Sequence, residues 1–126
     1  MIHLDTHVAI WLFTDGGSRL PARVRKKLDA NRLLISPVVE MEAQILHEIK
    51  RISYPGHVIV NHLVERTGAL LQDSSFARVV GYASTLSWTR DPFDRMLVAH
   101  AKADDVPLLT KDETILRNFP LATWDD

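Results

Sequence analysis

Short apolar runs alternate along the chain with longer stretches in which apolar residues recur every three or four positions. Five short runs predict buried strands, at residues 2–4, 33–35, 69–71, 106–109 and 121–124. Seven longer stretches predict helices, at residues 6–13, 21–31, 37–51, 57–66, 76–86, 92–104 and 113–117. Because strands and helices alternate, we predict a three-layer α/β fold, with a central, mostly parallel sheet covered by helices on both faces.

The composition is typical of one compact domain. The chain has 126 residues, of which 46% are hydrophobic and 25% charged, so we expect residues 1–126 to form a single unit. No apolar run suggests a membrane span, and the N-terminus lacks the pattern of a signal peptide. The chain has no cysteine, which excludes disulfides and thiolate metal sites and agrees with a cytoplasmic location. With a net charge of −1, any binding of nucleic acid would need a local basic patch.

Two aspartates follow predicted strands, where folds of this class place their ligand sites. Asp5 follows the strand at 2–4, and Asp112 follows the strand at 106–109. Ligands of such folds bind beyond the carboxyl ends of the strands. Each aspartate also stands where a helix begins, so capping of the helix N-terminus is the alternative explanation.

Two further acids lie on predicted inward faces of helices. Glu42 falls within an apolar stripe of the helix at 37–51, which we expect to consist of Val38, Met41, Ile45, Leu46 and Ile49. A buried carboxylate needs a partner, and an ion pair with an arginine is the structural alternative to a metal. Glu40 is expected in solvent. Asp94 aligns with inward residues of the helix at 92–104, while Asp91 is expected mainly to cap that helix.

A cluster of Asp5, Glu42, Asp94 and Asp112 would need a cation. Two carboxylates about 4 Å apart repel by roughly 4 kcal/mol at an effective dielectric constant near 20. Such a cluster therefore requires a cation or raised pKa values. Ligands that are all oxygen favour Mg²⁺ or Mn²⁺ over zinc, and such sites commonly serve phosphoryl chemistry. We expect no zinc site, since no pair of the six histidines has a third ligand at a usable spacing.

The segments that hold these acids resemble a PIN-domain nuclease of the VapC type, the toxin of bacterial toxin–antitoxin pairs. The matching segments are Leu4-Asp5-Thr6-His7 with Trp11, residues 36–42, Asp91-Pro92-Phe93-Asp94-Arg95 and Leu109-Thr110-Lys111-Asp112. The resemblance implies a ribonuclease that depends on Mg²⁺ or Mn²⁺, with the four acids as metal ligands and catalytic residues. It implies support from Thr110, and independently of the resemblance Asp91 is a candidate for a supporting position besides capping the helix. It also implies RNA as the substrate and a cognate antitoxin as the inhibitor, and we expect a homodimer.

Basic and aromatic residues are weaker indicators of function. Five cations are candidates for contact with RNA phosphates, although such residues more often form a solvated surface: Arg23, Lys26, Lys27, Arg90 and Arg95. The three tryptophans, Trp11, Trp88 and Trp124, are expected to anchor the core or an interface rather than to stack on bases.

Two other functions stay open. One is a phosphoryl-transfer domain of the receiver or haloacid-dehalogenase type, with Asp5 as the phosphorylated nucleophile. A haloacid dehalogenase has a second aspartate two positions further on, where this chain has His7. The other is a degenerate domain that only binds a partner. The presence of all four acids argues against that function.

Overall fold

The computed structural model describes residues 1–126, which form five strands and seven helices. In chain order these are β1 (Ile2–Leu4), α1 (Thr6–Asp15), α2 (Ala22–Ala30), β2 (Leu33–Ile35), α3 (Pro37–Glu48), α4 (Gly56–Thr67), β3 (Leu70–Leu71), α5 (Phe76–Ala83), α6 (Pro92–Asp104), β4 (Leu108–Leu109), α7 (Glu113–Asn118) and β5 (Ala122–Thr123). Every predicted element is present, in the predicted order. Helix α3 ends before residue 51 because Lys50 adopts a φ of 63°, outside the helical region. None of the helices combines the length and apolar character needed to cross a membrane.

The five strands form one parallel sheet in the order β3-β2-β1-β4-β5. His3 of β1 lies beside Leu34 of β2 on one side and Leu108 of β4 on the other. The chain adds β2 and β3 on one side of β1 and then crosses to place β4 and β5 on the other side. The topological switch point therefore lies between β1 and β4, and a crevice for ligands is expected beyond their carboxyl ends.

Helices cover both faces of the sheet, which confirms the three-layer prediction. Consecutive residues of a strand point to opposite faces, and accordingly Leu109 joins one hydrophobic core while Leu108 joins the other. The first core is built mainly from β1, β2 and α1 to α4. The second is built mainly from α5, α6, α7 and β4.

The inward face of α3 differs from the prediction. Met41, Ile45 and Ile49 are exposed, at 55%, 39% and 57%, so the prediction is wrong for these three, whereas Val38 and Leu46 pack against the first core as predicted. The buried residues of this helix are Val39 and Ala43, because α3 packs against both α1 and α4 and a small side chain allows the close approach.

Candidate active site

All four predicted acids line one cavity beyond the carboxyl ends of the central strands. The cavity has a volume of about 420 Å³. Its eight lining residues are Asp5, His7, Trp11, Glu42, Asp91, Asp94, Lys111 and Asp112. They lie at the ends of β1 and β4, in α1 and α3, and at the start of α6, so the switch point gathers them from distant parts of the chain. We term this space the acid cavity.

Asp5 both caps α1 and faces the acid cavity. Its side chain is only 7% exposed. One carboxylate oxygen, Oδ1, accepts the backbone N–H of Thr6 at 2.7 Å, and Oδ2 accepts the hydroxyl of Thr110 at 2.5 Å. Burial raises the pKa of Asp5, and the charge of Asp112 adds to the rise, while these hydrogen bonds and His7 oppose it. The capping explanation is therefore correct, and it accounts for only part of the environment of Asp5.

Asp94 lies in the first turn of α6, among other acids. Asp91 caps this helix, since its Oδ1 accepts the backbone N–H groups of Phe93 at 2.8 Å and Asp94 at 3.2 Å. Burial raises the pKa of Asp94 to about 7, and the charge of Asp91 contributes next, followed by Asp5 and the remaining two acids of the cavity. The negative charges of the other four acids that line the cavity therefore all raise the pKa of Asp94.

Glu42 is half-buried and has no structural partner. Its Oε1 is buried without a hydrogen bond, and so is Oγ1 of the neighbouring Thr6. Burial raises the pKa of Glu42, and the charge of Asp5 adds to the rise. No ion pair includes Glu42, so the arginine partner considered from the sequence is not formed. Glu40 is exposed, as predicted.

Thr110 connects the two strand ends that form the base of the acid cavity. It is fully buried. Its hydroxyl donates to Asp5 and accepts the backbone N–H of Asp112 at 3.0 Å. Asp112 in turn caps α7 by accepting the N–H of Ile115 at 2.9 Å. Thr110 therefore fixes the positions of two of the acids relative to each other.

The sequence analysis assigned no part in the site to three residues that line the acid cavity, although the segments of the family resemblance contain them: His7, Trp11 and Lys111. Their signal in the sequence is their spacing from the acids. His7 lies two residues after Asp5, Trp11 lies one helical turn after His7, and Lys111 precedes Asp112 directly.

The five cations proposed for RNA contact do not line the acid cavity. Arg95 donates to two backbone carbonyls, and the ammonium of Lys27 is engaged by acceptors of the C-terminal segment. Arg23, Lys26 and Arg90 are exposed. Contact of these residues with RNA stays a prediction.

The fold also brings together two histidines and an acid outside the acid cavity. Ligand atoms of His3, His100 and Asp104 lie within 4.8 Å of one another, so the expectation that no histidine pair gains a third ligand is wrong. His3 Nε2 is 2.6 Å from Asp104, and His100 is 2.9 Å from the hydroxyl of Ser36 and 3.0 Å from that of Ser74. Since Ser74 also donates to Asp104 at 2.6 Å, these groups form one hydrogen-bonded network.

Comparison with known proteins gives a family match over nearly the whole chain. The family model described as the PIN domain matches residues 2–119. No curated protein matches the chain significantly.

Three similar solved structures cover nearly the whole chain. One is VapBC2 from Rickettsia felis bound to a DNA fragment from its promoter, with 17% identity, a TM-score of 0.70 and 100% of both chains covered. Another is DNA-bound VapBC from Salmonella typhimurium, with 20% identity, a TM-score of 0.65 and 99% of this chain and 96% of that chain covered. The third is VapBC-1 from nontypeable Haemophilus influenzae, with 20% identity, a TM-score of 0.62 and 100% and 98% covered. At these identities the likeness is one of fold.

Proposed function

The chain belongs to the PIN domain family, and from this premise we propose that it is a metal-dependent endoribonuclease that hydrolyses RNA phosphodiester bonds. The observation that carries the proposal is the convergence of four carboxylates on one cavity at the topological switch point. Bringing four carboxylates together costs repulsion energy and does not stabilise the fold, so their convergence supports a function for the cavity.

The four carboxylates fit a hard divalent ion such as Mg²⁺ or Mn²⁺. PIN nucleases generally use a divalent metal. All four side chains offer only oxygen, which is the donor that these ions prefer. The unpaired, buried Oε1 of Glu42 and the raised pKa values of Asp5, Glu42 and Asp94 are the properties expected of carboxylates that hold a cation. We therefore assign the holding of the ion to Asp5, Glu42, Asp94 and Asp112.

The residues of the chain position the reactants around that ion. When bound, the ion supplies positive charge at the phosphate and makes water more acidic. Asp94 or Asp112 orients the attacking water by accepting its hydrogen bond. Thr110 holds Asp5 in place through the 2.5 Å hydrogen bond. Lys111 brings a positive side chain to the wall of the acid cavity, where the phosphodiester would enter.

Phosphoryl transfer through a phosphorylated Asp5 has less support. A nucleophilic carboxylate oxygen must be free to reach the phosphorus. Both oxygens of Asp5 accept hydrogen bonds, and the side chain is 7% exposed.

The biological role that we propose is that of a toxin acting on RNA in the cytoplasm. The three similar structures are of VapBC assemblies. We propose that this chain likewise has a cognate antitoxin that inhibits it, and that it forms a homodimer. Expression without the antitoxin should then arrest growth, and Asp94→Asn should remove the effect.

Cleavage of purified RNA tests the proposal directly. We expect cleavage of total RNA with Mg²⁺ or Mn²⁺, loss of cleavage in EDTA, and recovery when the metal is added in excess. Asp94→Asn should lower the rate roughly 100-fold or more, because it removes a charged metal ligand. The exposed Asp73→Asn, outside the cavity, is the matched control and should retain full activity. Undiminished cleavage in EDTA, or full activity of folded Asp94→Asn, would reject the proposed mechanism.

A further inference from the structure

A second cavity adjoins the acid cavity. Its volume is about 260 Å³. Trp11 and Lys111 line both cavities, whereas Arg19 and Trp124 line only the second. We term it the tryptophan pocket and define it by these four residues. Because two wall residues are shared, an RNA strand with a phosphate at the carboxylates would bring a neighbouring nucleotide to this pocket.

Two indole rings form the aromatic walls of the tryptophan pocket. The ring centroids of Trp11 and Trp124 are 6.1 Å apart, and their planes meet at 61°. In this edge-to-face arrangement the edge of one ring contacts one face of the other, and the remaining faces are not covered by the pair. Both residues are half-buried and pack against the first core, so part of each ring remains open to the pocket. An open aromatic face is the surface on which a nucleobase stacks.

Hydrogen bonds hold the main chain of Trp124 in place, and they involve its backbone rather than its ring. Its backbone N–H donates to Asp126 at 2.9 Å, and its carbonyl accepts from the ammonium of Lys27. The same ammonium donates to Thr123 at 2.7 Å and to Asp126 at 2.8 Å. A ring that is positioned before binding loses less conformational freedom when a ligand arrives.

Two cations lie at the rim of the tryptophan pocket. The ammonium of Lys111 is 5.9 Å from the ring centroid of Trp11. The side chain of Arg19 is 91% exposed and has one contact, from Nε to Asp15 at 3.6 Å. An exposed ion pair of this kind is weak, so Arg19 remains able to contact a phosphate.

We propose that the tryptophan pocket binds one nucleobase of single-stranded RNA beside the scissile phosphodiester. The base stacks on the ring of Trp124, with Trp11 against its edge, and Arg19 and Lys111 contact the adjoining phosphates. Single-stranded RNA is favoured because its bases are free to leave the stack, whereas those of a duplex are not. This inference rests on the proposed nuclease function, but the binding that it predicts is measurable without cleavage.

Fluorescence of the two pocket tryptophans provides the test. Trp88 lines neither cavity and packs in the second core, so Trp88→Phe removes its signal and serves as the reference protein. Pentaribonucleotides of adenosine or uridine are added in EDTA, where metal-dependent cleavage does not occur. We expect saturable quenching of the fluorescence. Trp124→Ala in the same background should weaken binding roughly five- to hundred-fold, and Trp124→Phe should retain most of the affinity.

A steady-state measurement with metal separates this inference from the proposed function. Trp124→Ala should raise KM and leave kcat within about twofold. If the protein cleaves RNA, shows no quenching, and has the same KM with Trp124→Ala or Trp124→Phe, the pocket is wrong and the nuclease stands. If no RNA is cleaved but quenching saturates and depends on Trp124, the pocket stands and the nuclease is wrong.

The cations provide a second test that does not disturb the packed tryptophans. In Arg19→Met the affinity for pentaribonucleotides should fall less steeply as salt is added. The slope of log K against log salt concentration should be smaller by about 0.7 or less, which is the value for one phosphate contact on a single strand. Arg66→Met is the matched control, since Arg66 is exposed at the end of α4, near the opposite edge of the sheet. If Arg19→Met, Arg66→Met and the reference protein have identical salt slopes, Arg19 does not contact a phosphate. If their affinities for the pentaribonucleotide are also identical, the proposed pocket is wrong.

Discussion

The carboxylate of Glu42 is the member of the acid cavity that folding explains least. Asp5, Asp91 and Asp112 each cap a helix, which gives them a structural reason for their positions. Glu42 caps nothing, pairs with no cation and leaves Oε1 buried and unbonded. A buried carboxylate oxygen with no hydrogen bond and no ion pair destabilises the fold, and such groups are expected where function requires them.

Glu42→Gln tests whether this carboxylate is a metal ligand. In EDTA the variant should melt at the same temperature as wild type or higher, because the change removes a charge repelled by Asp5. Mg²⁺ should raise the Tm of wild type, since the ion binds only the folded state, and should raise that of Glu42→Gln less. The exposed Glu40→Gln is the control and should behave as wild type. A large loss of stability in EDTA, with activity retained, would instead show a structural role.

Asp94 predicts a pH dependence of the metal-free protein. Its pKa is about 7 in the fold, and about 3.9 is usual for an unfolded chain. At a pH between these two pKa values, the carboxyl of Asp94 is protonated in the folded chain and ionised in the unfolded chain. Raising the pH through this range therefore lowers the stability of the fold. In EDTA the Tm of Asp94→Asn should exceed that of wild type by a margin that grows from pH 5 to pH 8. A margin that stays constant over this range would contradict the raised pKa.

Gly56 shows how one residue sets the packing of two helices. A Cβ at Gly56, in the first turn of α4, would lie 2.1 Å from the carbonyl oxygen of Glu40 and 3.0 Å from the backbone nitrogen of Gln44, both in α3. Its own N–H donates to the side chain of Gln44 at 3.0 Å. Only glycine permits this approach, and α3 carries Glu42 into the acid cavity.

Gly56→Ala should therefore destabilise the fold by roughly 1–3 kcal/mol or more, because α4 must move away from α3. Gly81→Ala is the matched control. Gly81 lies within α5 with no atom within 4 Å of an added Cβ, so alanine should be neutral or stabilise by about 0.5–1 kcal/mol. Urea denaturation of both variants measures the difference, and equal stability of the two would refute the close packing.

Local sequence signals predicted the elements better than the faces that those elements present. Proline follows both Ser36 and Asp91 in the sequence, and the structure begins α3 and α6 at these prolines, because capping depends on neighbouring residues alone. The buried face of α3 was predicted correctly only for Val38 and Leu46, because the rest of that face depends on distant helices. There the small Ala43 is buried and the large Met41 is exposed.

At the scale of the whole molecule, the features that the sequence could not predict are contacts between segments that lie far apart in the chain. The four acids were identified because each stands beside a local signal, a strand end or a helix face. The network of His3, His100 and Asp104 has no such signal, since 101 residues separate His3 from Asp104. The pairing of Trp11 with Trp124 likewise depends on the C-terminal segment returning to α1.

That histidine network connects β1, α6 and the segments after β2 and β3, so its protonation should affect the whole fold. Burial lowers the pKa of His100, and the charge of Asp104 opposes this only in part. Burial would raise the pKa of Asp104, but its hydrogen bonds with Ser74 and His3 outweigh burial and lower it. A neutral His100 beside an ionised Asp104 is therefore the state that the fold favours.

The sign of the resulting pH dependence follows from the lowered pKa of His100. An unfolded chain binds a proton at this residue near pH 6.5, whereas the folded chain resists it. The stability from neutral His100 is thus present above pH 6.5 and is lost as pH falls towards 5. His100→Gln should lower the Tm at pH 7.5, because hydrogen bonds to Ser36 and Ser74 are weakened, and should flatten the fall between pH 7 and pH 5. The exposed His57→Gln should leave that fall as steep as in wild type. If His100→Gln and wild type lose Tm equally over this range, protonation of His100 does not limit the stability of the fold in acid.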